Sequence, residues 1–141
     1  LLAPTINSYK RLVENFFAPV TVSWGLEHRI ASIRLIAPPT SKPDATRFEI
    51  RVPGADTNPS YVLAAILALG WRGIEKKLEI RQPPLGKGQN VSRESDSNVR
   101  LAGSLKEATE TFMRKDSLAR EVLGDEFVDH FGGTRLHELQ L

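Results

Sequence analysis

The chain has no cysteine, so disulfides, thiolate nucleophiles and cysteine-ligated zinc are excluded, and a reducing compartment is compatible, with the cytoplasm as the default expectation. It lacks a dominant charge sign: 19 Lys and Arg stand against 17 Asp and Glu, a formal net charge of +2. That balance does not point to a nucleic-acid partner. It also lacks a long hydrophobic run. The longest, Tyr61 to Trp71 with Gly70 inside it, falls well short of the roughly 20 residues that cross a bilayer, and no signal-peptide pattern opens the sequence. A soluble protein without a membrane partner is expected. Aromatic residues are few, and Phe16, Phe17 and Trp24 are not interleaved with a basic run, as a nucleic-acid stacking platform would require. The glycines of LGKGQN, Leu85 to Asn90, have neither Walker spacing nor a preceding strand. His28, His130 and His137 are isolated from one another and encode no metal cage at ligand spacing.

What remains is a length and a 40% hydrophobic content that support one domain, residues 1–141, with a core of its own. The first residue is Leu1, and LLAPTINSYKRL reads as the middle of a segment, so a partial domain is expected. VTVSW (Val20–Trp24) and RIASIRLI (Arg29–Ile36) are rich in β-branched residues and are separated by Gly25 to His28, which reads as two strands with a hairpin-sized connection. Thr46 to Val52 makes a third, after a proline-rich loop from Ala37 to Ala45. The three are expected to be antiparallel neighbours in a strand-rich part, residues 1–55.

Residues 58–141 read as helical. Asn58 is a good N-cap with Pro59 at the first helical position, and Leu63, Ile66, Leu67, Trp71, Ile74 and Leu78 recur at helical spacing. A helix over Pro59–Leu78, packed on the sheet by that stripe, is expected. A surface loop at about residues 80–103 follows, rich in proline, glycine and serine. Ser104 and Glu107 stand in capping-box register at the start of a second helix. A third runs from about Asp116, with Gly132 and Gly133 able to break it. The fold class is α+β, a small and mainly antiparallel sheet packed against helices.

Within the strand-rich part, TRFEIRVP (Thr46–Pro53) alternates Arg47, Glu49 and Arg51 with Phe48, Ile50 and Val52. Strand geometry puts the charged trio on one face and the apolar trio on the other. Arg11, Arg29 and Arg34 lie close by in the sequence. Guanidinium forks suit carboxylate and phosphate oxygens, so the cluster reads either as an anion site with a cation or as a set of intrachain ion pairs.

The order NSYKRL (Asn7–Leu12), AP (Ala18-Pro19), HRIASIRLI (His28–Ile36) and RFEIRVPGADTNPSYVLAAILALGWRGI (Arg47–Ile74) resembles the C-terminal part of the glutamine synthetase catalytic domain, in the divergent type-I-like branch that includes γ-glutamyl-amine ligases. The resemblance covers roughly residues 3–80 and the helical tail more loosely. It implies a cytoplasmic, oligomeric carbon–nitrogen ligase of nitrogen metabolism. Such an enzyme makes γ-glutamyl phosphate from glutamate and ATP, lets ammonia or another amine displace the phosphate, and requires Mg²⁺ or Mn²⁺. By resemblance Arg11 and Arg51 bind the glutamate substrate, Arg29 and Arg34 are the catalytic pair on the transferred phosphoryl group, Arg34 and Arg47 contact the nucleotide, and Glu49 is a metal ligand. Two departures accompany it. Ammonia-using members carry a proton-accepting glutamate in a PGYEAP-like segment; here the segment is ENFFAP, with Phe17 at that place, which points to a bulkier amine. The N-terminal part of the catalytic fold, with the other metal ligands, has no counterpart. The chain alone is therefore expected to be inactive, and the alternative is a non-catalytic remnant serving as an assembly or regulatory module.

Overall fold

The computed structural model describes residues 1–37, 43–86 and 99–141. They form two compact units, one made of Arg11–Val52 and Ile80–Leu101, the other of Leu1–Lys10, Pro53–Glu79 and Ala102–Leu141.

The first unit holds a three-stranded sheet of β1 (Trp24–Leu26), β2 (Ile33–Ile36) and β3 (Arg47–Ile50), in that order. β2 and β3 pair antiparallel, as expected, but β1 and β2 are parallel, so the sheet is mixed and the hairpin reading of Gly25 to His28 is corrected. Instead of reversing at Leu26, the chain returns to the start of β1 within residues 27–32 and sets Ile33 beside Trp24. Glu27 makes the turn with φ of 52°, its N–H donating to the Leu35 carbonyl. The first expected strand is also shifted. Val20 and Val22 bond to Leu101 and Val99, around an isolated antiparallel bridge between Thr21 and Arg100. Residues 99–101, expected in a surface loop, thus carry backbone pairing, while residues 87–98 of that loop and residues 38–42 of the earlier one lie outside the described residues.

Register sorts the faces. Trp24, Ile33 and Ile50 form one cross-strand row and Leu26, Leu35 and Phe48 the next, giving an apolar face, while Arg34 and Glu49 stand opposite each other on the other face. The alternation is as the sequence predicts, but its burial is not: Phe48 is 70% exposed. The core of this unit sits instead under the loops, where Leu12, Ala18, Val20 and Ala31 are buried with Thr21, Ser23 and Ser32. The hydroxyls are satisfied internally, Ser32 donating to the Thr21 carbonyl and Ser23 Oγ accepting the Ser32 N–H at 3.3 Å, as burial of polar groups demands.

The second unit is helical: α1 (Pro59–Glu75), α2 (Leu105–Met113), α3 (Leu118–Leu123) and α4 (Asp125–Glu138). The predicted caps are present, with Asn58 accepting from the Ser60 N–H and Ser104 from Glu107. α1 stops one turn short of Leu78: Lys77 turns left-handed with φ of 48°, and the N–H groups of Lys77 and Leu78 bond the carbonyls of Ile74 and Gly73, a Schellman closure. The expected third helix is broken at Gly124, φ 83°, and α4 runs through Gly132 and Gly133. Val128 and Leu105 are fully or nearly buried, beside an aromatic cluster in which Tyr61 meets Phe127 and Phe131 edge-on and Phe112 meets Phe131. Residues at the other end of the sequence join them: Glu138 accepts the Ile6 N–H at 2.9 Å and Arg135 donates to the Pro4 carbonyl at 2.7 Å.

α1 turns an unexpected side to its own unit. Ala65 is buried and Arg72 pairs with Glu121 of α3, while the strongest apolar positions, Leu63, Leu67, Trp71, Ile74 and Leu78, are exposed. Of the stripe expected to pack, those five positions are exposed, Leu78 beyond the end of the helix, and Ile66 is half-buried. No helix among the described residues is long and apolar enough to cross a membrane.

Candidate functional site

The charged face of the sheet collects the residues that composition singled out. Antiparallel register sets Arg34 of β2 directly across from Glu49 of β3, and the Arg34 guanidinium donates through Nη1 to Glu49 Oε2 at 3.2 Å. Arg51, two residues on and on the same face, donates through Nε to Glu49 Oε1 at 3.0 Å. One carboxylate therefore lies between two guanidinium groups, one oxygen to each.

The donors left over bear on both the ion-pair reading and the anion-site reading. Arg34 Nε and Arg51 Nη1 are buried and have no hydrogen-bond partner. Buried donors are usually satisfied, and these two are exceptions. Arg51 Nη2 donates to the Phe17 carbonyl at 3.2 Å, fastening the ENFFAP segment to β3. That segment is bent tightly: Asn15 and Phe17 have φ of 67° and 53°, uncommon for residues with a side chain. The Phe17 ring is 79% exposed.

The other expected residues are less concentrated. Arg11 donates to the carbonyls of Arg51 and Val52 at 3.1 and 2.8 Å and so braces the backbone that follows β3. Arg29 lies exposed in the connection between β1 and β2. Arg47 is exposed at the start of β3, opposite Ile36, and donates to the Ala45 carbonyl. Arg34, Glu49 and Arg51 are brought together, Arg11 joins them through the main chain, and Arg29 and Arg47 stand apart. His28 is buried with Nδ1 unpartnered, while His130 and His137 lie on the exposed side of α4.

Sequence reading missed Glu27. Its carboxylate accepts from Arg34 Nη2, and its other oxygen accepts the Ala37 N–H at 3.2 Å. The hydrogen bond from Arg34 holds the Glu27 carboxyl below the usual carboxylate range, and the bond from Glu27 raises Arg34 in turn. Its sequence signal was a carboxylate in the Gly25–His28 turn, seven residues before Arg34.

Both Glu49 oxygens are engaged by guanidinium groups, and no group of three or more His, Cys, Asp or Glu among the described residues is placed to hold a metal. Mg²⁺ prefers near-octahedral oxygen coordination, which these residues do not make up by themselves.

Comparison with known proteins extends the view beyond this face. The profile of the family described as "Glutamine synthetase, catalytic domain" matches residues 1–141. A type-1 glutamine synthetase of Dictyostelium discoideum is 44% identical over 136 residues, which are 96% of this chain and 25% of that protein. A glutamate–isopropylamine ligase of a Pseudomonas species is 43% identical over 137 residues, 97% of this chain and 28% of that protein. A solved structure described as a GmaS/ADP complex superposes with a TM-score of 0.74 at 28% identity, covering 99% of this chain and 31% of its own. The chain spans between a quarter and a third of these relatives.

Proposed function

The chain belongs to the glutamine synthetase catalytic-domain family, and from that premise we propose that it supplies the arginine-bearing part of a catalytic domain that ligates glutamate to an amine with cleavage of ATP. In that reaction the glutamate γ-carboxylate attacks the terminal phosphorus of ATP and releases ADP. The amine then attacks the acyl carbon, loses a proton and expels phosphate. Both steps concentrate negative charge on oxygens, and fixed guanidinium donors stabilise it without reorganising. The observation that carries this reading is the pair of buried unpartnered donors, Arg34 Nε and Arg51 Nη1, set on either side of Glu49. Under this proposal Arg29 and Arg34 act on the transferred phosphoryl group, Arg34 and Arg47 on the nucleotide, Arg11 and Arg51 on glutamate, and Glu49 contributes one ligand to a Mg²⁺ or Mn²⁺ site. The remaining ligands come from additional family polypeptide, in a cytoplasmic homo-oligomer.

Amine-dependent phosphate release from ATP and glutamate, measured in the intact gene product and in the 141-residue chain, tests the proposal. Turnover is expected in the former and absent in the latter. An intact product that turns over unchanged as Arg34→Ala or Arg51→Ala overturns it. The acceptor is proposed to be an amine larger than ammonia, because Phe17 offers an exposed ring and no proton acceptor, and a positioned general base contributes about 10² to 10⁴ in rate. In Phe17→Glu the ratio of kcat/KM for a bulky amine over ammonia is expected to fall; an unchanged ratio assigns acceptor choice elsewhere. The uncovered stripe of α1, with Leu67 69% and Trp71 65% exposed, favours a second reading, an assembly or regulatory module. That reading gains if the intact product binds its partners yet turns over no ATP.

A further inference from the structure

Arg34 is held from both sides. Its Nη1 donates to Glu49 Oε2 at 3.2 Å and its Nη2 to Glu27 Oε2, while its Nε is buried and unpartnered. Glu49 sits in regular strand register, but Glu27 reaches Arg34 only through an unusual backbone. At φ of 52° it occupies the left-handed region, which costs a residue with a Cβ about 1–2 kcal/mol and persists where the surroundings over-determine it. They do so here. The Glu27 N–H bonds the Leu35 carbonyl at 2.9 Å, and the second carboxylate oxygen accepts the Ala37 N–H at 3.2 Å. The turn therefore anchors Glu27 to the C-terminal end of β2 while aiming its carboxylate at Arg34.

We propose that Glu27 is a positioning residue for Arg34: clamped between Glu27 and Glu49, the planar guanidinium cannot swing, and its Nε–H keeps a fixed direction toward an anionic oxygen. A guanidinium held at both terminal nitrogens has little rotational freedom to lose when it binds, so the anion gains the full charge-assisted bond. The anion class, a phosphate or carboxylate oxygen, rests on the reading under Proposed function. The positioning itself does not.

The test uses the chain with inorganic phosphate as probe, observing the Arg34 and Arg51 Nε–H resonances by NMR in wild type, Glu27→Gln and Glu27→Ala. Removing a carboxylate beside an arginine raises the local positive potential, so charge alone makes phosphate bind more tightly. Positioning makes the opposite prediction. In Glu27→Gln, which keeps an acceptor for the Ala37 N–H, the Arg34 Nε–H is expected to become mobile and the phosphate affinity read at that resonance to fall by about tenfold, the order of one charge-assisted hydrogen bond. The Arg51 resonance and the melting temperature are expected to stay as in wild type. An Arg34 Nε–H that remains ordered in Glu27→Gln, or phosphate that binds equally or more tightly, overturns the proposal. An Arg34 that loosens in Glu27→Gln while wild type shows no phosphate response supports the positioning role and overturns the anion site instead.

Discussion

Gly132 and Gly133 are neighbours in α4 and have opposite surroundings. A Cβ on Gly132 would run into the Met113 side chain of α2, whereas a Cβ on Gly133 meets nothing within 4 Å. Gly132→Ala is therefore expected to lose about 1–3 kcal/mol through overpacking, moderated by the flexible thioether. Gly133→Ala is expected to gain up to about 1 kcal/mol of helix propensity. Urea denaturation of the two variants checks this, and shifts of the same sign would show that α2 and α4 do not cross at Gly132. Sequence reading took the pair as a helix breaker. Local propensity cannot separate a glycine that ends a helix from one that lets a second helix approach. The real break, Gly124, is marked by a left-handed φ that the sequence does not display.

Between elements, α1 and α3 are joined by Glu121, whose Oε1 forms an ion pair with Arg72 Nε at 3.0 Å and accepts from Lys76 Nζ. The hydrogen bonds from Arg72 and then Lys76 depress the Glu121 pKa from 4.5 to about 2. A folded-state pKa below the unfolded one contributes stability that is present above the unfolded value and is lost as pH falls through the folded value. The contribution of this clamp is thus expected to be complete above about pH 5 and to decline from there toward pH 2. Glu121→Gln removes that decline. Thermal unfolding of both forms across the interval measures it, and identical acid profiles would show that the clamp adds nothing, as many exposed pairs do. Elements were legible where their cause is local: Asn58-Pro59 and Ser104 open helices because their side chains act within one turn. Strand direction was not, because whether β2 runs with or against β1 depends on the backbone of Glu27 and on where Leu35 lies. Glu49 and Arg51 were legible, since period-two alternation puts them on one face whatever the pairing, but the sequence set Arg47 on the other side of Glu49, where register brings Arg34. The partner Glu27 was not, since a residue in a turn has no period.

In the whole molecule, the uncovered faces decide which substitutions matter. Leu67 is 69% exposed and Val128 is wholly buried. Leu67→Asp in this chain is expected to change unfolding free energy by no more than about 0.5 kcal/mol, whereas Val128→Ala is expected to cost about 1–3 kcal/mol. Parallel denaturant titrations compare them. A large loss from Leu67→Asp would mean that the α1 stripe is covered in solution, by a second copy or by another part of the protein.

The helical unit is gathered from three separated stretches, residues 1–10, 53–79 and 102–141, whereas the sheet-bearing unit is finished at residue 101. During synthesis, which adds about 5–20 residues per second, the last backbone pairing of the sheet unit, Leu101 to Val20, becomes available about 2–8 s before α4 is complete. The partners of Pro4 and Ile6, Arg135 and Glu138, follow them by 131 and 132 residues. Of the three stretches, residues 1–10 therefore wait longest for their contacts, and closure of these two units runs from the interior of residues 1–141 outward.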